Sequence, residues 1–406
     1  MKKEELFGFI GAFLGWVFDS MDATIYALVM VSALKELLKN QGILNTESYV
    51  GFYGGLIFSL FLIGWAIGGI SFGYVADKIG RVRTLAITIA LYSIFTGLSS
   101  LAQNVWELGL FRFITAIGIG GEWAGGATLV AEIFKKKNRV FASSLLQSAW
   151  AVGFLLASLI YFTIGRYHSW RIMFLIGVVP AFLAFVFRLF VKESEEWLSN
   201  KNMFSYIKSL KLLFTKEYVN QTIVGSLLAF VAVFGLWGVT NWTPALISYI
   251  LHKKDIAYYV GLGSIALNVG ALLGYISFGV ITKNIGIRNT FILFFAGSFL
   301  MGLVTFLYAK SFDKLLISLA LLGFFNNGVF SGFSIYFPQA YPSFIRATGA
   351  GFCFNVGRTL AAIGPFITGY ITYLFGSVAR AGAIASSIYL VGVLVVVFLR
   401  EKNYLQ

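Results

Sequence analysis

Twelve times along this 406-residue chain an apolar run of about 20 residues or more recurs, and that recurrence leaves few folds open. The runs fall at 6–31, 50–75, 82–102, 106–134, 140–165, 170–191, 219–247, 257–282, 289–309, 314–338, 346–374 and 378–400. Roughly 20 apolar residues in a helix cross the ~30 Å of hydrocarbon in a bilayer. No water is available there to take up backbone N–H and C=O groups, and a helix satisfies them within one segment. Composition agrees, with 58% of residues hydrophobic and 12% charged, against about 25% charged in soluble domains. The expectation is an all-α integral membrane protein with twelve transmembrane helices. The first run follows MKKEE, but it exceeds the roughly 7–15 residues of a signal-peptide core and no small-residue cleavage site follows it, so it reads as a retained span. A single cysteine, Cys353, excludes an intrachain disulfide. His168 and His252 fall in short connections and read as solvated side chains, so no metal site is expected.

Most connections between runs are short. The exception is the charged segment 192–218, KESEEWLSNKNMFSYIKSLKLLFTKEY, which reads as a cytoplasmic linker carrying a surface helix. It separates an N-terminal six-helix bundle, 1–191, from a C-terminal six-helix bundle, 219–406. With both termini cytoplasmic, 20 of the 31 Lys and Arg fall at or near the inner side, nine at the outer side and two, Arg112 and Arg358, deep within runs. Those inside include Lys78, Arg81, Arg83, the lysines at 135–137, Arg139, five lysines of the linker, Lys283, Arg288 and Arg346. This is the positive-inside bias, so the net charge of +14 reports orientation in a membrane. Nucleic-acid binding would want a basic stripe on a soluble face, and no such stripe is present. The halves also repeat. GGISFGYVADKIGRVR (68–83) recurs as GYISFGVITKNIGIRN (274–289) at an offset of 206, and RVFASSLLQSAW (139–150) pairs with RATGAGFCFNVG (346–357) at 207. Parallel repeats of this kind build one large transporter architecture, with substrate bound near the midplane between them.

GYVADKIGRVRT (73–84) resembles the loop motif between spans two and three of the major facilitator superfamily, G-x-x-x-D-x-x-G-R-[RK]. The resemblance implies a cytoplasmic gate. In it Gly73 permits close helix packing, while Asp77 and Arg81 bridge helix ends in one state and release them in another. Glu132 and Arg139, flanking the loop after span four, resemble the family's second charge cluster. The second half carries Lys283 and Asn284 where the Asp would stand, which implies a weaker latch. Three further segments, 112–132, 170–197 and 346–369, are similar to the sialate:proton symporter family, which includes lactate and pyruvate transporters, and to the aromatic-acid and metabolite:proton symporters. The span-one segment FDSMD resembles the D-G-[FY]-D of these families but departs from it at Ser20 and Met21.

Five ionisable residues lie well inside runs: Asp19, Asp22, Arg112, Glu122 and Arg358. Such residues are costly in hydrocarbon, about 2.5–3.5 kcal/mol each on insertion scales, and mark ion or substrate pathways. At 1.5 Å per residue Asp22 stands about 24 Å along its helix from Leu6, a depth comparable to that of Arg112. Their pairing is either a coupling element, as the similar pair of sugar porters implies, or a static ion pair that positions two helices. Asp19, three residues from Asp22, shares nearly the same helix face. Two close carboxylates in low dielectric cannot both ionise cheaply, so one is expected to hold a proton; alternatively, Asp19 caps a local helix break. Glu122, within GGEWAGG, is the other candidate proton carrier. Arg358 has no acidic residue in any run of its own half, and its planar fork suits a carboxylate. A substrate carboxylate, an acid of the other half, or snorkelling to the interface could each satisfy it. Asn355, on the same face, joins Gln147, Asn268, Asn326, Asn327 and Tyr336 as candidate substrate-binding residues, each of which could equally bridge helices.

The expected function is proton-coupled symport of a small organic anion (a monocarboxylate, a sugar acid or a sialate-like acid) by alternating access, in a plasma-membrane monomer that needs no cofactor. Symport of neutral sugars is the alternative. An enzyme is disfavoured because no nucleophile or metal constellation accompanies the two aspartates, and no Walker-type loop supports ATP-driven pumping.

Overall fold

The computed structural model describes residues 3–43, 46–165, 167–179, 191–251 and 256–400. Seventeen α-helices follow one another there. They are α1 (Lys3–Asn40), α2 (Thr46–Ile79), α3 (Arg81–Ser99), α4 (Val105–Ile133), α5 (Lys136–Ile160, closed by a π-turn at Tyr161–Gly165), α6 (Trp170–Ile176), α7 (Glu195–Ser199), α8 (Tyr206–Leu212) and α9 (Val219–Gly238). After these come α10 (Thr243–Leu251), α11 (Ile256–Ile285), α12 (Ile287–Leu303), α13 (Phe312–Ala340), α14 (Arg346–Ala361), α15 (Gly364–Phe375), α16 (Val378–Ser386) and α17 (Ile388–Val396). Ten spans among the described residues are long and apolar enough to cross a membrane by length and composition.

Two of the twelve apolar runs are not among those ten. The sixth, 170–191, is described only through α6 and the residues flanking it; 180–190 lie outside the described residues, as does His252. The eleventh, 346–374, is broken at 362–363 into α14 and α15. Pro365 stands in the first turn of α15, where a residue without an N–H begins a helix readily and does not continue the one before it. Hydropathy is blind to this break because the break itself is apolar.

Caps set other boundaries. Asn104 accepts from the N–H of Trp106 (3.1 Å) and of Glu107 (2.9 Å), and Glu107 reaches back to Asn104 Nδ2 and to the Gln103 N–H. This reciprocal capping fixes the start of α4. At Gly80 and Gly286 the chain turns between helices with φ of 117° and 82°, a backbone region that L side chains disfavour. The two glycines stand 206 residues apart, at the same place in each half of the repeat.

Residue contacts group the chain into two units. The first holds 1–134, 149–211 and 341–355; the second holds 135–148, 212–340 and 356–406. Each unit therefore takes in the opening turns of the fifth long helix of the other sequence half. In the first, α2 meets α4 through Gly64 and Gly68, where an added Cβ would stand 2.5 Å from the Phe113 carbonyl and 2.0 Å from that of Ile117. In the second, Gly270 and Gly274 of α11 lie 1.8 and 2.0 Å from the carbonyls of Ala320 and Phe324 on α13 by the same measure. Small residues that let backbones touch are the usual glue of helices in lipid, where hydrophobicity gives no preference for protein over solvent. The repeat read at 206–207 residues thus reappears as matching helix crossings.

Candidate functional site

Three helices of the first unit each turn a polar stripe toward the others. From α1 come Gly15, Asp19, Asp22 and Tyr26, from α3 Thr88, Tyr92 and Thr96, and from α4 Arg112, Thr115 and Glu122. Spacings of three, four and seven residues place each set on one helical face. Asp19, Asp22, Arg112 and Glu122 are all buried, with at most 1% of each exposed. Arg112 holds Asp22 with two hydrogen bonds, Nη2 to Oδ2 at 2.6 Å and Nη1 to Oδ1 at 3.2 Å. Thr96 Oγ1 donates to the same carboxylate at 2.5 Å. The guanidinium carbon of Arg112 lies 5.2, 5.0 and 5.5 Å from the ring centres of Tyr26, Phe61 and Phe174. Those aromatic faces attract the cation and keep water from the pair. The expected Asp22–Arg112 pairing is formed.

Glu122 lies further along α4. Thr88 Oγ1 donates to its Oε2 at 2.7 Å, while Oε1 has no hydrogen-bond partner among the described residues. That oxygen sits against α1, 2.0 Å from where a Cβ on Gly15 would be. Asp19 is one turn beyond Gly15 on the same face, so the three carboxylates share one buried polar zone. Gly15→Ala is expected to displace the Glu122 carboxylate, a flexible end that can move, and so to leave thermal stability near wild type while lowering uptake about tenfold. Gly55→Ala, where nothing lies within 4 Å of the added methyl, is the control expected to transport normally in the same proteoliposome assay.

A second ionic cluster forms where α2, α3, α4 and α14 meet within the first unit. Asp77 caps α14: its carboxylate accepts from the N–H of Ala347 (3.1 Å) and Thr348 (2.7 Å) and from Thr348 Oγ1 (2.6 Å). A carboxylate at a helix N-terminus both satisfies unpaired N–H groups and meets the positive end of the dipole. Arg81 lies 3.2 Å from Asp77 and 2.8 Å from Glu132, and also donates to the carbonyls of Ala76 and Ser343. Glu132 is shared with Arg346 at 3.0 Å, and Arg346 continues to Glu196 at 2.7 Å. Signs alternate along the chain of contacts, which limits repulsion. Gly73 permits the approach: a Cβ there would stand 2.5 Å from the Ala347 carbonyl. Arg139, which with Glu132 flanks the loop after α4, lies at the start of α5 in the second unit, and within the first unit Glu132 binds Arg81 and Arg346. Arg346 is the repeat counterpart of Arg139.

The remaining candidates occupy helices of both units. Asn355 is buried on α14, donates to the Gly351 carbonyl at 2.8 Å, and rests where a Cβ on Gly69 of α2 would be. Arg358, 7% exposed, follows one turn later on α14 and belongs to the second unit. Gln147 and Tyr336 are buried and Asn268 is half-buried, donating to the Ser264 carbonyl at 2.9 Å. Asn326 and Asn327 of α13 point to different neighbours. Tyr389 of α17 donates to Asn326 Oδ1 at 2.9 Å, and Tyr275 of α11 to Asn327 Oδ1 at 3.4 Å. Neither amide nitrogen has a partner among the described residues.

Sequence reading missed Thr88, Tyr92 and Thr96, although polar residues recurring every fourth position through an apolar run are a legible helical stripe. It also missed the hold that 193–197 takes on the ionic cluster. Glu193 accepts from the N–H groups of Val82 and Arg83 at the start of α3, Ser194 Oγ donates to Glu132, and the Trp197 indole donates to the Asp77 carbonyl at 2.8 Å.

Comparison with known proteins agrees with this architecture. A family model described as "Sugar (and other) transporter" matches residues 9–206. The cis,cis-muconate transport protein of Acinetobacter baylyi is 30% identical over 407 residues, covering 98% of this chain and 94% of that protein. The sialic acid transporter NanX of Escherichia coli is 28% identical over 368 residues, covering 90% and 87%. The structure of the proton:xylose symporter XylE, of the major facilitator superfamily, matches with a TM-score of 0.79 at 18% identity, covering 96% of this chain and 94% of that one. The chain belongs to the major facilitator superfamily. This facilitator is accordingly a multi-pass protein of the cell membrane, of a kind whose relatives carry small organic molecules.

Proposed function

We propose that this facilitator couples proton entry to uptake of a small organic anion by alternating access. The observation that carries the reading is the bidentate Asp22–Arg112 pair, sealed in apolar surroundings beside Asp19 and Glu122. Four ionisable groups kept in a span region need a reason, and swapping partners as protons arrive and leave supplies one. Protonation of the Asp19/Asp22/Glu122 set loosens Arg112 from its partner and favours the outward, loadable state. Release of the proton to the less acidic interior resets it.

In this reading twelve helices form two six-helix bundles, 1–191 and 219–406, with both termini and the 192–218 linker cytoplasmic. The Asp77, Arg81, Glu132 and Arg346 cluster, held by Gly73 packing, acts as the closed cytoplasmic gate, with Arg139 as its counterpart in the other half of the repeat. Arg358 receives the substrate carboxylate. Asn355, Gln147, Asn268, Asn326, Asn327 and Tyr336 supply polar contacts, the free amide nitrogens of Asn326 and Asn327 being donors ready for a carboxylate or carbonyl. The carrier works as a monomer and performs no bond-breaking chemistry on its cargo. The muconate and sialic acid carriers among its relatives favour an acid. A neutral sugar is the second reading, favoured by the Asp22–Arg112 pair, which resembles that of sugar porters.

Counterflow in proteoliposomes with labelled muconate, sialic acid, lactate and glucose separates the two readings. We expect an acid to exchange and glucose not to. Arg358→Ala should lower acid counterflow at least tenfold, mostly through weaker half-saturation, because an Arg–carboxylate contact is a strong, charge-assisted one. Normal acid transport by Arg358→Ala overturns the anion-binding role, and glucose exchange without acid exchange favours the sugar reading.

A further inference from the structure

Tyr92 is a member of the buried polar zone that the coupling scheme above leaves idle. It sits midway along the α3 stripe. One turn to one side Thr88 is bonded to Glu122, and one turn to the other Thr96 is bonded to Asp22. Its side chain is fully buried, and its hydroxyl has no hydrogen-bond partner among the described residues. A buried hydroxyl without a partner forfeits about 1–3 kcal/mol, so one held in place among carboxylates calls for a use. The ionisable groups of the same buried zone are Asp19 and Asp22 on α1 and Glu122 and Arg112 on α4, with Glu122 and Asp22 bonded to the threonines on either side of Tyr92. Gly118 lets α4 pack closely on α3 here, since a Cβ added to it would stand 2.8 Å from the Tyr92 backbone nitrogen and 2.9 Å from the Tyr92 Cβ.

We propose that the Tyr92 hydroxyl is the bridge that passes a proton between Glu122 and Asp19. This inference rests on the proton-coupled reading. Asp22 is pinned by Arg112 and Thr96, which leaves Glu122 and Asp19 as the pair to be joined. When Glu122 carries the proton and Asp19 is ionised, the phenol oxygen accepts the proton from Glu122 as its own proton passes to Asp19. One O–H bond breaks at Glu122 and one forms at Asp19. Tyr92 ends neutral, as it began, and the negative charge has moved from Asp19 to Glu122. The reverse transfer runs through the same two bonds. A phenol can donate and accept at once, which phenylalanine in the same volume cannot do.

The test is Tyr92→Phe in proteoliposomes, read in two modes on the same preparation with labelled muconate, or with whichever acid of the counterflow panel exchanges. One mode is accumulation driven by an inward acid gradient, and the other is counterflow at equal pH, which needs no net proton movement. The bridge predicts that accumulation falls at least tenfold while counterflow stays within twofold of wild type. A variant that accumulates substrate at the wild-type rate overturns the proposal. So does one that loses both modes together, since that marks a packing role. Replacing Tyr92 by 3-fluorotyrosine keeps the hydroxyl and supplies the second variant. Accumulation should be retained with an altered dependence on pH, and an unaltered dependence contradicts the bridge. Wild-type uptake is measured alongside. If it ignores the gradient, the proton-coupled reading has failed and the bridge falls with it, whereas a wild type that responds and a Tyr92→Phe variant that responds equally defeat the bridge alone.

Discussion

Asp22→Asn is expected to abolish gradient-driven accumulation, by a factor of 100 or more, and to lower the unfolding temperature of the purified protein. Both effects have one origin. Removing the charge leaves Arg112 in its aromatic enclosure without the carboxylate it bonds, and breaking a buried pair by removing one partner costs about 3–5 kcal/mol. Loss of transport alone does not separate a coupling element from a brace between α1 and α4. The double variant Asp22→Asn with Arg112→Leu does. Replacing both members of a buried pair by groups of similar size is often close to neutral for stability, so the double variant should unfold near wild type. If the pair couples protons, accumulation remains absent in it. If the pair is a brace, transport returns with stability. Thermal unfolding and accumulation on the same samples decide between them.

The second large effect is expected at the other ionic cluster. Asp77→Ala removes three hydrogen bonds to the first turn of α14 and one anion from Arg81. Loss of a helix N-cap costs about 0.5–2 kcal/mol, and the uncompensated guanidinium adds to that. Should this cluster hold the gate shut, the variant shifts toward states in which α14 has left α2. The chain carries its own reporter. Cys353 is the only cysteine, lies on α14 fully buried, and faces the Tyr341 hydroxyl at 3.1 Å. In membranes, a thiol reagent should label Cys353 at least ten times faster in Asp77→Ala than in wild type. An unchanged labelling rate means that Asp77 does not control the position of α14.

How much of this could be read beforehand depends on what each residue requires of its partners. Asp22 and Arg112 are legible because two opposite charges in apolar runs, at comparable depth from their helix ends, have few other ways to be satisfied. The glycine repeat is legible for a similar reason, since backbone contact tolerates only the smallest side chain, and Gly68 and Gly274 make equivalent crossings. Thr88, Tyr92 and Thr96 are harder. Threonine and tyrosine are ordinary in spans, a threonine hydroxyl can bond to the carbonyl one turn back, and the carboxylates of the zone are distant in sequence. Arg346 and Arg139 show a different limit. The repeat makes them interchangeable in sequence, and only the fold assigns Arg346 to Glu132. The break before Pro365 lies at the third limit, because hydropathy measures how apolar a run is and says nothing of whether its backbone is continuous.

The most direct test of the central claim is accumulation of labelled muconate by wild-type proteoliposomes, or of the panel acid found to exchange, with and without an imposed inward acid gradient. Coupling through the α1, α3 and α4 polar zone predicts concentration of the acid above its external level while the gradient lasts, and collapse to equilibrium when a protonophore is added. Uptake that proceeds at the same rate and to the same level with the gradient absent would contradict it.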